Sequence, residues 1–201
     1  MTDGGPLIVG IGGSTSGSSV TSLLLQACLE ATAALGARTV AFTGEQLAGL
    51  PIFAANGDAA VPAADSLVAA VRAADGVIIA TPGYHGGMSG LVKNAIDHLE
   101  LLRDDERPYL DGRAVGVIVA AAGWQACGMA LMSVRSAIHA LRGWPTPYGV
   151  TVNSAEQHPA PDGSFDERIT GALNILATQL TDFAGWRAAA ELAKTTGPPV
   201  G

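Results

Sequence analysis

The sequence predicts an α/β domain, a doubly wound parallel sheet with helices on both faces. Three observations lead there. Five apolar, strand-like runs alternate with five segments of helical periodicity. Residues 114–121 form an unbroken apolar run, the signature of a strand buried on both faces. The strand runs at 7–11, 76–80 and 114–121 each feed a loop of Gly, Ser, Pro or small residues, as strands do where an open sheet binds ligands.

Taken in order, the first strand is 7–11. A helix over 19–35 follows, with Leu24, Ala27, Cys28, Ala31 and Leu35 on one stripe, and Gly36 stops it. The second strand is 38–42. Residues 43–60 read as irregular, with Leu50-Pro51-Ile52-Phe53 as a packed turn. The next helix begins at Pro62 and turns Ala64, Leu67, Val68 and Val71 inward. The third strand, 76–80, leads through the longest glycine-rich loop into a helix over 90–101. Residues 103–111 form a charged, solvated connector. The fourth strand, 114–121, is followed by the loop Gly123-Trp124-Gln125 and a helix over 126–141. The fifth strand is placed at 148–152 and the last helix at 166–183. Residues 1–187 read as one domain and 188–201 as a flexible tail.

Composition narrows the function. The 201 residues are 48% hydrophobic and 14% charged, a composition that packs a core. Eleven basic against 18 acidic residues leave a net charge of −7, which argues against nucleic acid and anionic membrane as partners. A small anion remains compatible, because backbone N–H groups hold phosphate without lysine. The first residues lack a basic, then apolar, signal pattern, and no apolar run has membrane-spanning length. Cys28 and Cys127 read as reduced packing thiols of a cytoplasmic protein. No cluster has metal-ligand spacing.

The first loop, Gly10 to Ser19, fails two known patterns. Thr15 stands at the last glycine of a dinucleotide fingerprint, and Ser18 stands where a P-loop needs its lysine. A receiver domain is excluded by Gly12, Gly13 and Thr81-Pro82 at its carboxylate positions. What remains is a hydroxyl-rich strand-to-helix loop suited to one terminal phosphate. The second loop, from Thr81 to Gly90, offers bare glycine backbone and Tyr84, and the third offers Gly123. A single ligand touching all three would set a phosphate in the first and a flat ring against the other two.

Gly13-Ser14-Thr15 through Ser19, Leu50-Pro51-Ile52, Ala74-Asp75-Gly76, Thr81-Pro82-x-Tyr84-x-Gly86 and Ser89 to Asp97 carry a resemblance. Over about 7–152 the chain resembles the NADPH-dependent FMN reductases. That resemblance implies a flavodoxin-like sheet of order 2-1-3-4-5 and a non-covalent FMN. It implies hydride transfer from NADPH or NADH through FMN to a flavin, quinone or azo acceptor, with no dedicated catalytic residue. Ser14, Ser16, Ser18 and Ser19 would hold the phosphate. Pro82, Gly83, Tyr84, His85 and Gly86 would line the ring, and Gly123 its pyrimidine edge. Ser16 stands where the family often has arginine, and Gly83-Tyr84-His85 where it often has Glu-Tyr-Asn. The resemblance further implies a homodimer or homotetramer, and a flavin-dependent monooxygenase as a possible recipient of reduced flavin. The alternative from another class is a flavodoxin-like electron carrier without nicotinamide activity.

Overall fold

In a computed structural model, residues 4–55 and 62–195 are described. Parts of the expected irregular segment (56–60) and tail (196–201) lie outside them. The order is β1 (Leu7–Gly12), α1 (Val20–Ala34), β2 (Arg38–Phe42), α2 (Gly44–Ala48), α3 (Pro62–Ala73), β3 (Gly76–Pro82) and α4 (Gly90–His98). A 3-10 turn (Leu99–Leu102) follows, then β4 (Ala114–Ala121), α5 (Trp124–Ala140), β5 (Trp144–Pro145), β6 (Val150–Asn153) and α6 (Glu167–Thr195).

The sheet runs β2-β1-β3-β4, and both β5 and β6 pair in parallel with the far side of β4. It is the flavodoxin-like order, with the fifth strand in two pieces. Sequence reasoning placed one strand at 148–152. The break has a local cause: Pro147 has no N–H to give the ladder, and Tyr148 N–H donates instead to Gln179 Oε1 at 3.0 Å. Arg135 Nη2 holds the break open by donating to Thr146 O and Pro147 O at 2.8 and 2.9 Å.

β3 and β4 are buried along their whole length. One face of the sheet packs on α1 and α6 through Ile8, Leu24, Cys28, Ile118, Leu173, Leu176 and Leu180. The other packs on α3, α4 and α5 through Leu67, Val71, Ile79, Val92, Ala95, Val117, Val134 and Ile138. The inward set expected for α3, from Ala64 to Val71, is buried.

Three details differ from the sequence reading. Leu35 is not on the buried stripe: it caps the C-terminus of α1 and is 52% exposed, while Thr21, Leu25, Leu29 and Thr32 are buried in its place. Residues 43–48 are not irregular, because Thr43 and Gln46 form a capping box that opens α2. Trp124 is the first residue of α5 rather than a loop residue. In addition, α6 runs to Thr195, so the boundary expected at 187 falls inside a helix. Its alanine-rich end, with Arg187–Glu191 and Lys194–Glu191 pairs at 2.9 and 3.0 Å, is a good helix former without a buried stripe.

At the edge where the strands begin, Arg113 is fully buried. It donates to the carbonyls of Ala74, Tyr109, Asp111 and Arg72 at 3.1, 3.1, 3.3 and 2.7 Å. Burial pulls its pKa down to about 10, so it is still charged at neutral pH. Both cysteines are buried and unpaired, and burial pushes the Cys28 thiol up to about 12. No helix among the described residues is long and apolar enough to cross a membrane.

Candidate functional site

The parallel register brings the ends of β1, β3 and β4 to one edge, with Gly12 beside Ala80 and Pro82 beside Ala120. Three loops leave that edge. Each leads directly into a helix, α1, α4 or α5, so three helix N-termini face the same side. Their first N–H groups have no acceptor within their own helices and carry partial positive charge. None of the residues 13–19, 83–89 and 122–124 is Asp, Glu, Lys or Arg. The loops thus offer backbone donors and no charge of their own; the carboxylate that reaches the third loop is that of Glu156, whose Oε2 accepts from Trp124 Nε1 at 3.3 Å.

In the first loop Ser16 and Ser18 are exposed and face each other, Oγ to Oγ, at 3.2 Å. Ser14 Oγ accepts from Ser16 N at 3.4 Å. Ser19 is the N-cap of α1: its Oγ accepts from Ser22 N at 3.1 Å and donates to Ser22 Oγ at 3.0 Å. Ser22 Oγ in turn donates to Ser16 O at 2.8 Å, which ties the loop to the helix. Ser16 and Ser18 are therefore exposed at the tip of the loop, whereas the hydroxyls of Ser14 and Ser19 also accept backbone N–H groups that shape it.

The second loop is a tight hairpin. Tyr84 and Gly87 exchange both backbone hydrogen bonds, at 3.0 and 2.9 Å, around His85 (φ +50°) and Gly86 (φ +83°). Two successive positive φ values make a type I′ turn, which glycine enters without strain. The turn presents Tyr84, 58% exposed, and His85 at the surface, while Pro82 stays buried in β3.

The loops are fastened to one another. Gly13 N donates to Ala80 O at 2.8 Å, and Ser89 Oγ donates to Gly13 O at 3.0 Å while capping α4. Gly83 N donates to Ala120 O at 2.9 Å. A Cβ at Gly83 would lie 2.9 Å from Ala121 Cβ and 3.3 Å from Ala126 O, so the second loop packs this closely on the end of β4 and the first turn of α5 because residue 83 is glycine. By contrast, a Cβ at Gly17, Gly86 or Gly123 would meet nothing within 4 Å. Those three glycines border open space, one on each loop, and leave bare backbone for a flat ligand.

All the residues singled out in the sequence reach this edge. Asn94, from the Ser89–Asp97 motif, and His98, Asn153 and Gln157, to which the sequence reading gave no role, fasten neighbouring segments. Asn94 Oδ1 accepts from Phe53 N, and its Nδ2 donates to Pro51 O, both at 2.9 Å. His98 Nε2 lies 3.1 Å from Pro51 O, and its ring packs edge-on against Phe53. These two side chains, one helical turn apart on α4, fix the expected packed turn at 50–53. Asn153, at the end of β6, accepts from Gly123 N at 2.8 Å, and Gln157 Oε1 accepts from Asn153 N at 3.1 Å. The signal for Asn153 was a polar residue one step beyond a predicted strand, on the edge where the glycine loops converge.

A cavity of about 440 Å³ also opens on the β2 side of the first loop, between Leu25, Leu29, Thr39 and Ala41. Ser14, Thr15 and Gly17 of the first loop line it too, and its rim also carries Glu30 and Glu45, which repel phosphate.

The sequence profile of the NADPH-dependent FMN reductases matches residues 6–157. An FMN-dependent NADPH-azoreductase of Staphylococcus haemolyticus (strain JCSC1435) is 27% identical over 116 residues, 56% of this chain and 58% of that protein. An FMN-dependent NADPH-azoreductase of Staphylococcus aureus (strain USA300) is 32% identical over 93 residues, 46% of each. The chain thus spans about half the length of the curated relatives it matches. Among solved structures, an oxidoreductase from Corynebacterium diphtheriae superposes with a TM-score of 0.73 at 18% identity, covering 92% of this chain and 99% of that one. FerB, an NAD(P)H:(acceptor) oxidoreductase from Paracoccus denitrificans, gives 0.69 at 20% identity, covering 90% and 98%. At those identities the likeness establishes the shared fold.

Proposed function

The chain belongs to the NADPH-dependent FMN reductase family, and from that premise we propose that it is an NAD(P)H-dependent FMN oxidoreductase. The observation that carries this reading is the set of three joined loops, free of charged residues at 13–19, 83–89 and 122–124, with exposed serines on one and bare glycine backbone on all three. A phosphate and a flat uncharged ring need that combination of donors and open backbone.

When bound, FMN supplies the hydride chemistry, so no acid–base pair is required of the protein. Ser14, Ser16 and Ser18 hold the phosphate with the first-turn N–H groups of α1, and Ser19 keeps the loop in shape. Pro82, Gly83, Tyr84, His85 and Gly86 line the ring, and Gly123 lies at its pyrimidine edge. The first-turn N–H groups of α5 would place partial positive charge beside the ring. Tyr84 stacks in turn on the nicotinamide and on the acceptor, because one open face serves both. The acceptor is a small flavin, quinone or azo compound, and reduced flavin can also be handed to a flavin-dependent monooxygenase. The donor is NADPH or NADH.

The direct test is stopped-flow reduction of protein-bound FMN by each nicotinamide, paired with titration by FMN and riboflavin. Bleaching of bound FMN faster than of free FMN is the expected result. Tighter binding of FMN than of riboflavin is expected as well, since charge-assisted hydrogen bonds contribute about 1.5–3 kcal/mol each. Ser14→Ala with Ser16→Ala should narrow that gap. Bound FMN that neither nicotinamide reduces would leave the electron-carrier reading in its place.

The protein works in the cytoplasm as a homodimer or homotetramer. Supporting an assembly, α5 exposes Met129 and Met132, and Leu101 is exposed beyond the C-terminal end of α4. Light scattering at micromolar concentration tests the assembly; a fully active monomer refutes it.

A further inference from the structure

Asn153 is 2% exposed, and its hydrogen bonds are used up with one exception. Oδ1 accepts from Gly123 N at 2.8 Å and from Ala155 N at 3.2 Å. Its carbonyl accepts from Glu156 N and Gln157 N at 3.0 and 2.8 Å. Its own N–H donates to Gln157 Oε1 at 3.1 Å. Both partners of Oδ1 are N–H donors, so the amide is oriented with its oxygen toward them and its nitrogen away. Nδ2 has no acceptor among the described residues. It is also not sealed from solvent: the side-chain polar atoms buried without a partner, among the described residues, are Arg135 Nε and Arg187 Nε. A nearly buried side chain thus keeps an unused amide donor at the open edge of the sheet. The register pairs it with Ala121, beside the third loop.

We infer that Asn153 is a flavin-binding residue with two tasks: Oδ1 fixes the backbone at Gly123, and Nδ2 donates a hydrogen bond to an acceptor atom on the pyrimidine half of the ring. This rests on the FMN reading above. The donor discriminates for a ring that offers an acceptor at that edge. It also favours the reduced ring over the oxidised one, because a hydrogen bond to a charged acceptor is about twice as strong as one to a neutral acceptor. The first task explains how Gly123 keeps φ at +122° at the start of α5 without a side-chain cap. The second gives the buried amide its missing partner.

Asn153→Asp separates the tasks. An aspartate still accepts from Gly123 and Ala155, but it turns an oxygen rather than a donor toward the ring. The expected result is a folded protein whose affinity for FMN falls by about tenfold or more. Riboflavin should weaken by the same factor, because the lesion is at the ring and not the phosphate. The midpoint potential of the bound flavin should move negative. In the unaltered protein, labelled with nitrogen-15, saturation with FMN should shift the Asn153 side-chain amide resonances, a readout independent of whether the variant folds. Unchanged affinity and potential in a folded Asn153→Asp protein overturn the inference, as do amide resonances that FMN leaves unmoved. Failure of the unaltered protein to bind FMN strikes the FMN reading instead.

Discussion

Gly86→Val is expected to weaken FMN binding by roughly a hundredfold, about 2.7 kcal/mol, while the fold survives. Two effects act together. Residue 86 sits at φ +83° in the second position of the Tyr84–Gly87 turn, where a β-branched residue is strained by about 1–3 kcal/mol. Its Cβ would meet no protein atom within 4 Å, so the added isopropyl group projects from the turn into open space. The core is untouched, because the turn is surface structure closed by its own two hydrogen bonds. Circular dichroism melting should show a small loss of stability, and flavin fluorescence a large loss of binding. Gly86→Asn divides the causes: asparagine tolerates positive φ but still fills the space. If asparagine binds FMN nearly as well as glycine, backbone strain carries the effect; if it fails like valine, occupancy does. A folded Gly86→Val protein with normal FMN affinity places the ring elsewhere.

That prediction could be made from the sequence, as a choice between filled space and a backbone angle that a branched residue resists. The glycine-rich stretch marked a close approach, but the paired positive φ values at His85 and Gly86 emerge only once Tyr84 and Gly87 are seen to exchange backbone bonds. The same division runs through the fold. β3 and β4 were legible because a strand buried on both faces is apolar without interruption. The inward face of α3 was legible from its period. α2 escaped because a five-residue helix shows no period, although Thr43 and Gln46 carried its capping signature. The broken fifth strand escaped because Pro147 alone does not say that Arg135, on the preceding helix, will take the carbonyls of Thr146 and Pro147. At the site, residue types announced a phosphate and a ring, whereas the use of Ser19 Oγ as a cap and the support of Gly123 by Asn153 depend on contacts between segments distant in sequence.

Arg113 is the clearest instance of a residue hidden from sequence patterns, and removing it has the largest expected effect on stability. It adjoins a run of charges at 103–111 that reads as solvated, yet it is fully buried at the start of β4. No carboxylate is hydrogen-bonded to it; its partners are four backbone carbonyls from the 72–74 and 109–111 segments. Replacing a buried charge by an apolar side chain can be harmless when its partners leave with it. Here the partners are main chain and stay. Arg113→Met relieves the desolvation of the guanidinium but strands those carbonyls, at about 1–3 kcal/mol for each that water does not reach. The contact to Ala74 is buried and those to Tyr109, Asp111 and Arg72 are part-buried, so the expected net loss is about 2–4 kcal/mol, read from urea unfolding. Arg113→Lys retains a charge without the planar fork and should lose about half as much. FMN affinity in the folded fraction should not change, because β4 spans eight residues, about 26 Å, between Arg113 and the loops. A folded Arg113→Met protein of unchanged stability would show that the carbonyls find water or one another, and that this arginine does not pin the sheet.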